Sequence, residues 1–436
     1  MELRHLIHNI TLLILIGLSS TMCIKTPEKE ITTNNKPSYT IIYYAVGGET
    51  LDEAIEISLM DIERRGVGEN VKVAGCVKWT KGYTSDFSNG KGEVKRFLLD
   101  SNNPHIEMQT VGSNDYPMYD PENIAEFISW SKEVAPADNY ILVLAGHGNG
   151  WHPGVGIEST RGILRDTDLN RYITLEELCS GIKLSQTSFR MIHLMSCLMN
   201  NIEYLTPLSQ YSDYILGSCH ISVMLCTELA HLARSLSGIK NNSDKALIGA
   251  LEDLLHNIVV DIESQGLTGD TLDYSITECA KINRLNRAIG DLSTALVEIY
   301  ESDDYQTIEY LERELADSYY FIESYLNSAE VTDMDYLRMA FTYDIVDIAQ
   351  RVARAIPEKK FADISNKIEQ MAKAARIANY TTQLSGVNDV YYGITLTNST
   401  QWSDREYEKA GYEETLFNQI THWSEFLKRN NIILKH

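Results

Sequence analysis

Apolar and polar positions follow two periods up to about residue 230 and mainly one beyond it. Tyr39 to Val46 (YTIIYYAV) and Val71 to Val77 (VKVAGCV) are rich in β-branched and aromatic residues and read as strands. Leu51 to Arg65, between them, has helical apolar spacing, with Asp52 and Glu53 in the first turn, where acids suit the helix dipole. A polar, glycine-containing hairpin region follows, then a short strand over Ile106 to Val111. Pro121 to Val134 reads as an amphipathic helix opened by proline, whose missing N–H costs nothing at that position. Tyr140 to Ala145 (YILVLA) is a continuous apolar run, as expected of a strand covered on both faces. A helix over Thr174 to Ile182, a strand over Phe189 to Ser196, a helix over Leu198 to Leu208 and a strand over Tyr214 to Cys219 complete the alternation.

Strands alternating with helices imply parallel pairing and a three-layer α/β/α sandwich around a mostly parallel central sheet. After Ala230 the helical period dominates, over Lys245 to Glu263, Lys281 to Tyr300, Tyr305 to Leu326, Asp335 to Ile356 and Glu358 to Ile377. One strand, Tyr391 to Leu396 (YYGITL), is expected to return to the core, and a helix over Glu413 to Lys428 follows it. Residues 39–229 therefore read as the α/β core and 230–436 as a largely helical part integrated with it.

The first residues have another texture. Met1 to Asn9 carries Arg4, Ile10 to Leu18 is apolar, and Ser19, Ser20 and Thr21 are small. This is the order of an export signal, and the apolar run is too short to span a bilayer. Residues 1–23 are thus expected to direct export from a bacterial cytoplasm to the periplasm, outer membrane or exterior. Cys23 closes the segment as a candidate acylated cysteine, although Met22 stands where lipoprotein processing prefers a small residue. Membrane attachment is expected only through that acyl group, and residues 24–38 read as a flexible tether.

Charge narrows the partners. A formal net charge of −23 argues against nucleic acid, because phosphate repels such a surface. The seven cysteines show no CxxC pair and no regular spacing, so neither zinc nor a disulfide framework is suggested. No EF-hand-like loop is visible, and no metal or cofactor is expected. A monomer acting on a protein or peptide substrate is the expectation.

Two segments share one design, an apolar strand that stops at a reactive side chain. One runs through Ala145-Gly146 to His147, followed by Gly148-Asn149-Gly150-Trp151, and the other through Met195-Ser196 to Cys197. In a parallel sheet both side chains emerge at the carboxyl ends of their strands, where open α/β sheets place their sites. Taken singly, a strand-end cysteine is usually inert packing, and a Gly-His-Gly turn is as often structural or metal-binding. Together they suit nucleophilic catalysis, with Cys197 as thiolate and His147 donating a proton to the leaving amine. A helix starting at Leu198 would favour the anion, and the N–H groups of Gly148 and Cys197 would form an oxyanion hole. His193 lies on the same strand as Cys197, roughly 13 Å away at strand rise, and reads as a core residue. His220, beside Cys219, is a weaker candidate near the same edge.

Those two catalytic blocks, Pro121 to Trp151 and Met195 to Asn200, resemble the clostripain family of cysteine peptidases. So do IIYYAVGGETLD, STRGILRD and TLFNQITHWSEFL, and the resemblance covers most of Tyr39 to Leu427. It implies a caspase-like fold, a His–Cys dyad at His147 and Cys197, and cleavage after basic residues. It also implies maturation by a cut between the dyad strands, for which Arg161 is the matching candidate and Arg165 the next. One position departs from the family: Met195 stands two residues before the nucleophile, where an acid is usual. A thioether cannot pair with a buried guanidinium. The substrate pocket expected from Met195, Ser196 and Ser218 is thus poor in carboxylates, with Glu228 the nearest acid. Apolar P1 preference and basic preference through another carboxylate both stay open. So does a pseudopeptidase that binds peptides or partner proteins, whereas a metal-dependent hydrolase lacks a carboxylate–histidine cluster.

Overall fold

The computed structural model describes residues 36–151, 162–219, 226–264, 273–316, 342–381, 393–397 and 411–433. Five parallel strands form the centre of a nine-stranded sheet: β1 (Tyr39–Val46), β2 (Val71–Lys78), β5 (Asn139–Ala145), β8 (Phe189–Met195) and β9 (Ser212–Gly217). Their order is β9-β8-β5-β1-β2. Beyond β2 lie β3 (Val94–Leu99) and β4 (Gln109–Gly112), and beyond β9 lie β10 (Asp273–Glu278) and β12 (Arg376–Thr381). All four of these flanking strands pair antiparallel. The three-layer α/β/α architecture read from the sequence is the architecture observed.

Alternation along each strand separates the two layers of core. On β5, Ile141, Val143 and Ala145 face one side and Leu142 and Leu144 the other; on β8, Met191 and Met195 oppose Ile192 and Leu194. The first side is covered by α1 (Leu51–Arg65), α5 (Glu228–Ser237) and α6 (Asp244–Ser264). The other carries α2 (Pro121–Val134), α3 (Leu175–Leu184), α4 (Ile202–Leu208), α7 (Cys279–Glu301) and α8 (Tyr305–Ala316). It also carries α9 (Ile345–Ala355), α10 (Lys359–Ala375), α11 (Leu416–Thr421) and α12 (Trp423–Ile433). The helices of the second half are therefore layers on the same sheet. Among the described residues, no helix is long and apolar enough to cross a membrane.

Local signals explain several boundaries. Asp120 caps α2 by accepting from the Glu122 N–H, and Pro121 occupies the first turn. Thr174 and Glu177 form a reciprocal capping box on α3.

Several boundaries differ from the sequence reading: β3 lies in the stretch read as a polar hairpin region, β4 starts three residues after Ile106, and the helix expected over Glu413 to Lys428 is split into α11 and α12. The helix expected from Leu198 begins only at Ile202, because Leu198 is left-handed (φ 60°) and Asn201 supplies the cap, accepting from the Tyr204 N–H. The strand near 391–396 is observed at Thr395–Thr397 (β13). It pairs with β11 (Thr342–Asp344), outside the central sheet, and touches the core through a bridge to Asn201. Helical spacing also ran across Arg376 and Ile377, which open β12. Parts of the helices expected over Tyr305 to Leu326 and Asp335 to Ile356 lie outside the described residues.

Candidate active site

The parallel register sets the site. Ala45 is level with Ala145, and Ala145 with Met195, so β1, β5 and β8 end together. β1 connects to β2 on one side, while β5, β8 and β9 continue on the other. The strand order thus reverses between β1 and β5, the switch point at which open α/β sheets bind ligands. His147 follows Ala145 by two residues, and Cys197 follows Met195 by two.

The two strand-end turns are in contact. A Cβ placed on Gly148 would lie 2.5 Å from the Cys197 carbonyl oxygen and 2.7 Å from Ser196 Cβ, so only glycine fits between them. Gly150, at φ 55°, likewise passes over the Leu198 carbonyl, where a Cβ would come within 2.8 Å. Both His147 and Cys197 are partly exposed, while the strands beneath them are buried. The turns that carry the sequence-derived pair therefore meet at one edge.

The β1–α1 turn holds the imidazole. His147 Nε2 lies 3.3 Å from the Gly48 carbonyl oxygen. A carbonyl only accepts, so Nε2 carries the proton in the neutral ring and Nδ1 is left as the basic nitrogen. Burial lowers the His147 pKa; Glu49, the Gly48 carbonyl and Asp52 oppose that shift, while Arg165 adds to it. The Gly48 carbonyl was not visible to sequence reasoning, because a backbone acceptor has no residue signature. The glycine pair ending β1 was the available signal of a tight turn.

A second support comes from the hairpin of β6 (Ile163–Asp166) and β7 (Arg171–Ile173). The Leu164 N–H donates to the His147 carbonyl at 2.7 Å, and the Asn149 N–H to the Gly162 carbonyl at 3.1 Å. This pairing, centred on Gly148 and Ile163, leaves the Gly148 N–H out of the ladder.

The remaining predicted residues divide. Met195 and Ser196 are buried beside the dyad turns, and Ser196 Oγ has no hydrogen-bond partner. Ser218 is buried next door, its carbonyl accepting from the Asn200 N–H at 2.9 Å. Glu228 does not line the edge: it is buried on α5, accepts from the Tyr274 hydroxyl at 2.7 Å, and sits 3.7 Å from His193 Nε2. His193 is 0% exposed and makes no hydrogen bond, as befits a core residue on the strand interior. Arg165 reaches the surface, 3.5 Å from Glu49. Arg161, His220 and Cys23 lie outside the described residues. The helix-dipole support expected for Cys197 is absent, because α4 starts five residues later and its first turn is occupied by Asn201.

The C-terminal helices buttress this edge, which the sequence did not reveal. Trp151 packs edge-on against Tyr412, with ring centroids 4.5 Å apart. The buried Glu203 accepts from the Thr397 N–H at 2.9 Å and the Tyr412 hydroxyl at 3.0 Å. Among the described residues, no cluster of His, Cys, Asp and Glu is arranged to hold a metal ion.

The mixed α/β fold is one that solved cysteine proteases share. The clostripain family profile matches residues 90–429, and the chain belongs to that family. Clostripain from Hathewaya histolytica is 30% identical over 132 residues, a match spanning 27% of this chain and 24% of that protein. Among solved structures, the secreted C11 cysteine protease iotapain from Bacteroides thetaiotaomicron superposes with a TM-score of 0.56 at 15% identity, covering 89% of this chain and 100% of that one. The same type of protease from that organism, bound to an irreversible peptide inhibitor, gives 0.61 at 14% identity, covering 89% and 99% of the two chains. An inactive zymogen C11 protease from Parabacteroides distasonis gives 0.58 at 15% identity, with the same coverage. At such identities these structures speak for the fold.

Proposed function

We propose that this chain is an exported cysteine endopeptidase in which Cys197 is the nucleophile and His147 the general acid–base. The observation that carries the proposal is the contact between the two strand-end turns, with Nε2 of His147 tied to the Gly48 carbonyl. Nδ1 is then the nitrogen that takes the thiol proton as Sγ attacks the substrate carbonyl. The same proton passes to the departing amine as the C–N bond breaks, leaving an acyl-enzyme. Water then attacks the thioester, giving one proton to Nδ1, and the C–S bond breaks as the thiol is regenerated. The N–H groups of Gly148 and Cys197 are the proposed donors to the oxyanion.

Substrate preference follows from what surrounds Met195. It belongs to the apolar cluster that includes Ala145 and Val143, and the nearest sequence-predicted acid, Glu228, is committed to Tyr274. An apolar P1 residue suits that setting better than arginine, whose cation would be left unpaired. A P1-scanning peptide library tests this reading. Fastest turnover at apolar P1 supports it, and strong turnover after Arg or Lys contradicts it. Absence of turnover at every P1, with a folded protein, favours the peptide-binding pseudopeptidase.

Export and anchoring rest on residues 1–23. Cell fractionation with fatty-acid labelling, compared between the natural chain and Cys23→Ser, is the corresponding test. Label retained in Cys23→Ser would contradict acylation at that cysteine.

A further inference from the structure

We infer that the buried ion pair between Lys78 and Asp166 is a positioning device for His147, an assignment that rests on the dyad reading above. Lys78 ends β2 and Asp166 ends β6; their side chains are 2% and 4% exposed, and Nζ lies 2.6 Å from Oδ2. The ammonium also donates to the Asn114 carbonyl at 2.5 Å, and the second carboxylate oxygen accepts from the Leu169 N–H at 3.1 Å. Both charges are thus hydrogen-bonded as well as paired, which is the condition for keeping a buried pair.

Its position gives it a use. Asp166 fixes the end of β6, and two residues earlier the Leu164 N–H holds the His147 carbonyl at 2.7 Å. One residue later Thr167 packs on the β1–α1 turn: a Cβ on Gly48 would lie 2.7 Å from Thr167 Cγ2. Thr167 Oγ1 also meets Thr80 Oγ1 at 3.1 Å. Gly48 is the residue whose carbonyl accepts the hydrogen bond from Nε2–H. One hairpin therefore grips both handles of the imidazole, its own backbone and its orienting carbonyl, and Lys78–Asp166 sets the register of that hairpin. Fixing register is the best-attested use of a buried polar pair, since apolar packing supplies cohesion without direction.

The test uses the full chain carrying Asp166→Asn, Lys78→Met, Lys78→Arg, or Lys78→Met with Asp166→Leu. The single losses are expected to lower kcat about 10- to 100-fold with KM within about 3-fold, the signature of a displaced catalytic group. Lys78→Arg keeps the pair and should recover most of kcat. The apolar double variant should regain the melting temperature while kcat stays low. An NMR titration of the His147 ring should show a changed pKa in Asp166→Asn even without substrate. Normal kcat and an unmoved His147 titration in folded Asp166→Asn would overturn the assignment. So would recovery of both stability and kcat in the apolar double variant, which also decides the matter if single variants fail to fold. Cys197→Ala in the same assay reports on the dyad separately. Turnover surviving that change overturns the dyad, whereas turnover lost there but intact in Asp166→Asn overturns only the ion-pair role.

Discussion

His147 and His193 stand on neighbouring parallel strands, and their surroundings make them different chemical groups. His193 lies opposite Val143 in the strand interior, fully buried without a hydrogen bond, and burial pushes its pKa down to about 3. His147 lies past the end of its strand, partly exposed, with one nitrogen assigned by a carbonyl and its pKa lowered but opposed by nearby carboxylates. The interior keeps a histidine neutral through the whole physiological range. Only at the carboxyl edge, where strands give way to turns, can the ring exchange protons. Chemistry and packing are thus separated along the length of one sheet.

Substitutions at edge and interior should therefore fail in different ways. His147→Ala or Cys197→Ala should reduce kcat/KM by at least about 10³-fold while shifting the melting temperature little. His193→Leu should keep kcat within about 10-fold; a loss as large as that of His147→Ala in peptide turnover would erase the distinction. Gly148→Ala should come next, with roughly 10²-fold loss in kcat, because the added methyl meets the Cys197 carbonyl at 2.5 Å and moves the two turns apart.

The interior should show itself in stability against pH. Between about pH 3 and 6.5 the unfolded chain protonates at His193 and the native one does not, so this contribution to stability is lost as pH falls through that window. Burial raises Glu228 to about 7 from 4.5, so the native state holds the extra proton. Its contribution is full below about pH 4.5 and is lost as pH rises through 7. Melting curves across pH should flatten on the acid side in His193→Leu and on the neutral side in Glu228→Gln. Slopes unchanged in both variants would contradict these assignments.

The smallest effects belong to the exposed charges near the edge. Glu49 raises the His147 pKa and Arg165 lowers it. The acid limb of kcat/KM should therefore move to lower pH in Glu49→Gln and to higher pH in Arg165→Gln. Each shift should be below about half a unit, because solvent screens both groups. Shifts of the same sign would be inconsistent with their opposite charges.

How far the sequence disclosed this molecule depended on where cohesion came from. Through Gly217 the five parallel strands are covered on both faces, so runs such as YILVLA stand out, and the strand-end placement of His147 and Cys197 could be read directly. In the second half, β10 lies between α6 and α7 and β12 directly follows α10, and the helical period masked them. Arg376 and Ile377 were absorbed into the preceding helix for that reason. At Leu198 the local pattern was helical, but the residue is left-handed, with its carbonyl packed under Gly150 and accepting from the Asn201 side-chain amide. The supports of the site were least legible, because the Gly48 carbonyl, the Lys78–Asp166 pair and the Glu203–Tyr412 contact join residues far apart in sequence.

The central claim is that one thiol of this chain is activated, and by His147. Burial pushes Cys226 up to about 11 and Cys76 and Cys179 up to about 12, so these thiols stay protonated at neutral pH. Mass spectrometry after brief exposure to an electrophilic peptide at pH 7 separates the seven cysteines directly. The account predicts modification at Cys197 alone, slowed at least about 10²-fold in His147→Ala. Labelling of another cysteine in preference, or an unchanged rate at Cys197 without His147, would contradict it.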